Sequence, residues 1–218
     1  SRLDQVASVV AQLEATLEKS EVDAEELEAS TAAMIALRDV LWAIGQDRLR
    51  TALLVGELAG RQAGVAAVGG YLTIQQALSA LDRLEVRGRD SAGVHVFVWG
   101  HGLSQSDPTV QSAILSRAKD PLFQNHSLRL VDGILSFVYK AAAEIGELGD
   151  NTRALRSAIQ SDQLLRLALT HPNARLSLVG HTRWASVGII SEPNAHPVNS
   201  ERDLNDDATS HPYVVAAL

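Results

Sequence analysis

Apolar residues at Leu3, Val6, Val10, Leu13 and Leu17 step by three and four along the start of the chain, the interval that lines one face of a helix. Ser20 is followed by Glu-Val-Asp-Ala-Glu-Glu-Leu and predicts the N-cap of a second helix, because an opening turn favours a capping hydroxyl and negative charge. That helix runs to about Ile44 with Gly45 as its stop. Arg48 to Gly60 predicts a third helix, followed by Gly-rich and Ala-rich residues to Gly70. Thr73 then predicts the cap of a helix with an apolar stripe of Ile74, Ala77, Leu78, Leu81 and Leu84, closed by Gly88.

Strict alternation sets in at Gly93-Val-His-Val-Phe-Val-Trp99, which predicts a strand and then a turn at Gly100-His-Gly. Ser104 to Asp120 holds one helical stretch, and Leu128 to Tyr139 holds strand-like residues around Asp132-Gly133, a hairpin turn signal. Helices are predicted over Lys140 to Gly149 and Asn151 to Thr170, with Pro172 behind the second. Arg175 to Gly180 predicts a strand, a loop follows to about Asn205, and Tyr213 to Leu218 begins another strand. Helices and strands in no strict βαβ alternation predict an α+β fold with mostly antiparallel sheet. The texture divides the chain into a helical segment, 1–70, and a mixed region, 71–218. Heptad spacing in the first helix leaves a coiled-coil dimerisation arm open beside a small helical layer, and with it a homodimer.

Composition narrows the classes. The chain is 46% hydrophobic and 21% charged with a net charge of −7, ordinary for a globular protein and without the basic footprint that nucleic acid or anionic membrane requires. Neither is expected as a partner. Residues 1–64 carry eleven acidic against six basic side chains, so most of the net negative charge lies there. With no cysteine, disulfides, Cys-zinc sites and a thiol nucleophile within these residues are all excluded. No apolar run reaches the roughly 20 residues of a membrane span and no signal-peptide pattern opens the chain, so a soluble, cytoplasmic protein is expected. The chain opens Ser-Arg without Met and closes on Val-Ala-Ala-Leu, and is read as an internal piece of a longer polypeptide.

Two segments are dense in small and polar residues between apolar elements: Arg87-Gly-Arg-Asp-Ser-Ala-Gly93 and Gly180-His-Thr-Arg-Trp-Ala-Ser-Val-Gly188. In the second, a strand delivers Arg183 at its carboxyl end, where a guanidinium can grip a carboxylate with two parallel hydrogen bonds. In the first, Arg87 and Asp90 are candidates to pair, while Ser91 caps or lines a pocket. Taken singly, such features are more often a surface ion pair and ordinary turns. His171, His181, His196 and His211 match no zinc spacing, so no metal is expected and they are read as loop or core residues. Nucleotide cradles and the serine-hydrolase elbow have no basis, since GxGxxG, GxxxxGK and GxSxG are absent. No cofactor is expected.

Leu84-Glu-Val-Arg-Gly-Arg-Asp-Ser-Ala-Gly93, Gly180-His-Thr-Arg-Trp-Ala185 and Ser191-Glu-Pro-Asn-Ala-His-Pro197, in this order, resemble the glutaminase domain of the class II, N-terminal nucleophile glutamine amidotransferases. The Arg-Trp pair is most similar to the glucosamine-6-phosphate synthase branch. The resemblance covers about residues 72 to 218 and leaves the N-terminal helices as an insertion ahead of the first family helix. It implies a four-layer αββα sandwich with two antiparallel sheets. It also implies an N-terminal cysteine that attacks the side-chain amide of glutamine, releasing ammonia. By the motif match, Arg183 would hold the glutamine α-carboxylate, Trp184 would lie on the loop that closes over the substrate, and Ser186 would replace a substrate-binding threonine. Arg87 and Asp90 would form the pocket wall beside the nucleophile.

The resemblance further implies a parent that transfers the ammonia to a sugar phosphate, fructose 6-phosphate to glucosamine 6-phosphate, through a sugar-isomerase region outside this chain. Several positions depart from the family. Val187 and Val198 stand where the family usually has His, and Arg89 where it usually has Tyr. The family's Asn-Gly oxyanion pair would follow Leu218. Catalytic residues are thus expected to be none within these residues, and the isolated chain is expected not to hydrolyse glutamine. The alternative is a non-catalytic relative that keeps the fold to bind an amino acid or a partner.

Overall fold

A computed structural model of the protein describes residues 2–19, 23–120, 128–143, 147–185, 188–200 and 214–217. Two compact units divide the chain between Leu54 and Val55. In the first, α1 (Arg2–Leu17) lies against α2 (Ala24–Trp42), with Val10 buried and an ion pair from Arg38 to Glu14 at 3.4 Å. The cap of α2 is Asp23, whose carboxylate accepts the Glu26 N–H at 2.9 Å. The predicted cap, Ser20, lies outside the described residues. Gly45 does not end the helix. A π-helical segment, Ala43–Leu49, carries the backbone on into α3 (Arg50–Ala59), since an interior glycine costs about 1 kcal/mol but forbids nothing.

The second unit is built on α4 (Val65–Leu84) and a four-stranded antiparallel sheet. Helix α4 starts eight positions before the predicted Thr73 cap; Gly64 is its N-cap, and the Thr73 hydroxyl donates to the Gly69 carbonyl one turn back. The third helix does end at Gly60 as expected, but the part of the Gly-rich stretch from Val65 to Gly70 is already the first turns of α4. At Gly70 a Cβ would stand 2.9 Å from Leu169 Cδ2, so the missing side chain is what lets Leu169 pack there. Val55, Leu58, Ala59 and Ala67 belong to the core of this unit. The compact division at 54/55 and the change of residue texture at 70/71 are thus different boundaries.

Strand β1 (Ser91–Trp99) sits between β3 (Ile134–Ala141) and β4 (Arg175–Arg183), and β2 (Leu128–Val131) lies outside β3. The hairpin joining β2 to β3 turns at Asp132 (φ 52°) and Gly133 (φ 72°), the left-handed pair that a two-residue turn needs. One sheet face carries Ala92, Val94, Val96 and Val98 beside Leu135, Phe137 and Tyr139, all buried. Helices α4 and α6 (Asp150–Ser161) pack on this sheet, and their Ile74, Leu78, Leu81, Leu155 and Ile159 complete the core. A short ladder, β5 (Val198–Asn199) with β6 (Val215–Ala216), stands apart from it. The fold is mixed α+β with an antiparallel sheet.

Two helix expectations are corrected. Lys140 does not open a helix; it is the penultimate residue of β3, opposite Gly93. The alternation Ser136, Val138, Lys140 simply continues the strand. The single helix expected over Asn151 to Thr170 is two, because Asp162 breaks it and caps α7 (Gln163–Ala168) by accepting the Leu164 and Leu165 N–H groups at 3.0 and 3.1 Å. Its other oxygen takes the Tyr139 hydroxyl at 2.8 Å and Arg117 Nε at 3.1 Å, the latter from α5 (Pro108–Lys119). This ionic knot is wholly buried.

Candidate functional site

Antiparallel pairing of β1 with β4 sets Ser91 opposite Arg183, Ala92 opposite Thr182 and Gly93 opposite His181. The end of the first sequence motif therefore lies beside the first half of the second at one end of the sheet. Asp90 fastens them. Its N–H donates to the Arg183 carbonyl at 3.1 Å and its Oδ2 accepts the Ala185 N–H at 2.7 Å, so the backbone on both sides of Trp184 is held by one residue. Gly88 closes the approach from the other direction, since a Cβ there would stand 3.0 Å from Thr182 Oγ1 and 3.2 Å from its backbone.

The third motif folds onto the same end. The Arg183 guanidinium donates to the Asn194 carbonyl at 3.0 Å, Asn194 Nδ2 donates to the Ile189 carbonyl at 3.1 Å, and Lys140 Nζ donates to the Pro193 carbonyl at 3.3 Å. The His196 carbonyl rests directly on Gly93, where a Cβ would be 2.4 Å away. Ala195 is wholly buried, and the His181 and His196 rings lie 5.1 Å apart. The Arg89 carbonyl accepts Asn151 Nδ2 at 2.7 Å. Glu85, buried behind the corner, accepts the Thr152 N–H at 2.9 Å and its hydroxyl at 2.7 Å. Helix α6 thus buttresses the first motif.

The electrostatics are those of a crowded basic corner. Burial pushes the Lys140 ammonium below its ordinary value, against the pull of Glu192. Burial, then His181, Arg183 and Lys140, hold the His196 imidazole down. His95, on β1 and wholly enclosed, is lowered to about 4 by burial and by Lys140. Protonating His95 or His196 costs energy because it adds positive charge beside Lys140 in a poorly solvated place. Among the described residues no group of three or more His, Asp or Glu is arranged to hold a metal ion.

Arg183, Trp184 and Asp90 are brought together. Trp184 is 69% exposed, so its ring lies open to solvent. Arg87 is exposed and makes no ion pair with Asp90; the carboxylate is turned to Ala185 instead. Ser186 lies outside the described residues, as does Val187. Lys140, Asn194 and the His181–His196 pair are site residues that local pattern did not single out. The strand-length alternation through Lys140 was the signal available for the first. No signal within a short window reports the others, because their partners are a strand or a loop away in space. In comparisons with protein-family models, curated proteins and solved structures, nothing matched the chain.

Proposed function

We propose that this chain is part of a class II glutamine amidotransferase domain and binds glutamine at the corner of Asp90, Arg183 and Trp184. The observation that carries the reading is convergence: the motif at 84–93 meets the two neighbouring motifs at 180–185 and 191–197 at one sheet end, joined by Asp90 to Ala185 and Arg183 to Asn194. The Asn194 bond fixes the plane of the Arg183 fork, and a fixed fork is what two-point capture of an α-carboxylate demands. Trp184 supplies the exposed aromatic face that covers the bound amino acid. Ser186 contributes a hydroxyl to the same ligand, and Arg87 belongs to the outer wall.

In this reading the four-stranded sheet is one of the two sheets of an αββα sandwich. The thiol comes from outside these residues, which contain no cysteine. It attacks the glutamine side-chain amide carbon, ammonia departs, and water cleaves the resulting thioester to give glutamate. The parent passes the ammonia to a sugar phosphate bound in a sugar-isomerase region, turning fructose 6-phosphate into glucosamine 6-phosphate. A second reading, a non-catalytic domain that binds an amino acid through the same Arg183, is favoured by the absent thiol and by Val187 in place of histidine.

Glutamate release by the complete gene product separates the two. Turnover that falls tenfold or more in kcat/KM on Arg183→Ala, chiefly through KM, supports the amidotransferase reading. Saturable glutamine binding without turnover supports the binding domain. Absence of binding by calorimetry in folded protein overturns both.

A further inference from the structure

The first unit holds two long helices and almost no core. Among its described residues Val10 alone is buried. The fold divides the apolar stripe of α1: Val10, with the half-buried Leu3 and Leu17, turns to α2, while Val6 and Leu13 stay exposed beside Val9. On α2, Met34 and Leu41 are half-buried, and Leu37 and Val40 are exposed. The ion pair from Arg38 to Glu14 marks one side of the seam between the helices. At 3.6 residues per turn, Val6, Val9, Leu13, Leu37 and Val40 all fall on the other side, where both helices contribute to one apolar face. Among the described residues, no charged side chain interrupts that face between Arg2 at the open end of the hairpin and Glu26 at its turn end.

We propose that a second copy of this chain docks on that face, antiparallel and about a twofold axis, so that two hairpins close into a four-helix bundle. A pair of helices encloses no core by itself, whereas two hairpins face to face bury a shared one. Charge selects both the partner and its direction. Residues 14–28, at the turn end, carry seven acidic side chains against one basic, while the rest of the unit, 1–13 and 29–54, carries three acidic against four basic. Antiparallel docking sets each acidic turn end toward the other copy's open end and its Arg2, and keeps the two acidic ends apart. Parallel docking would crowd them together, a like-charge contact that opposes association. A two-stranded coiled coil of α1 would need Val10 in its seam, and Val10 is already enclosed within the unit. None of this depends on the glutamine reading.

Sedimentation equilibrium of the full chain at micromolar concentration tests it, with twice the chain mass of 23.3 kDa expected. Leu13→Glu and Val40→Lys change one exposed residue on each helix of the face, and each is expected to raise the dissociation constant at least tenfold. Ile35→Glu, also exposed but on the side of the Arg38–Glu14 pair, is expected to leave the dimer intact. Direction is read separately. The chain has no cysteine, so Glu26→Cys gives a single nitroxide site, and pulsed electron paramagnetic resonance is expected to place the two labels of the dimer beyond about 25 Å, since they lie at opposite ends of an interface as long as α1. A monomer, a dimer indifferent to both face substitutions, a dimer lost equally with Ile35→Glu, or labels within about 15 Å, as neighbouring parallel helices would place them, overturns the proposal.

Discussion

Asp90 holds two backbone groups with one short side chain. Removing the carboxylate in Asp90→Ala leaves the Ala185 N–H without its acceptor and is expected to cost about 1 kcal/mol of stability, while Asp90→Asn, which keeps an oxygen in place, is expected to cost less than about half of that. Thermal denaturation of the two variants side by side checks the difference. In the amidotransferase reading, Asp90→Ala also weakens glutamine binding, because the backbone that aims Arg183 is no longer held. The presence of Asp90 in a polar corner was legible in the sequence. Its partner was not: the expected bond was to Arg87, three residues away, and the actual one is to Ala185, reached only because β1 and β4 pair in this register.

At the scale of elements, a buried carboxylate sets where two of the helices begin. Asp162 ends α6, caps α7, and receives Tyr139 and Arg117 from two other elements. Asp162→Ala leaves the Arg117 guanidinium buried without its counter-charge and is expected to destabilise by about 3 to 5 kcal/mol, whereas Tyr139→Phe removes one hydrogen bond and is expected to cost about 1 kcal/mol. Urea denaturation with unchanged m-value checks both. Glu85 does the corresponding work for α6, where Gly149 (φ 90°) turns the chain and the Glu85 carboxylate accepts the N–H of Gly149 and of Thr152. Glu85, many positions from α6, supports its start with no local signature. By contrast, α4 starts at Gly64 with no side-chain cap, and Asp162 caps α7 from the position directly before it, a local signal outweighed by the apolar periodicity across 151–170. The two-residue β5 fell inside the expected loop. Alternation marks a strand along its whole length; a cap is a single contact.

Across the whole molecule, buried histidines make the fold sensitive to acid. His95 is held at about 4 against an ordinary 6.5, so below pH 6.5 the unfolded chain takes up a proton that the folded chain refuses. Its contribution is therefore complete above pH 6.5 and is lost as the pH falls from 6.5 to 4, by up to about 3 kcal/mol. His101 and His196, both lowered chiefly by burial, act in the same direction. Unfolding free energies at pH 7.5, 5.5 and 4.5 are expected to fall in that order, and His95→Phe, which keeps a ring stacked on Phe97, is expected to flatten the fall. No helix among the described residues is long and apolar enough to cross a membrane.

The sequence by itself determined the elements whose cause is local: the stripe of α1, the alternation of β1, and the Asp132-Gly133 turn, whose residues tolerate the left-handed backbone the hairpin imposes. Tertiary structure alone decided what those elements bring together. Gly70 and Gly93 look alike as letters, yet one admits Leu169 and the other the His196 carbonyl. Lys140 became a site residue because β3 runs two residues further than expected, to Ala141, and so sets Lys140 opposite Gly93. Period and turn chemistry act over a few residues, whereas strand register, fixed by burial of one sheet face, places residues about ninety positions apart within hydrogen-bond reach.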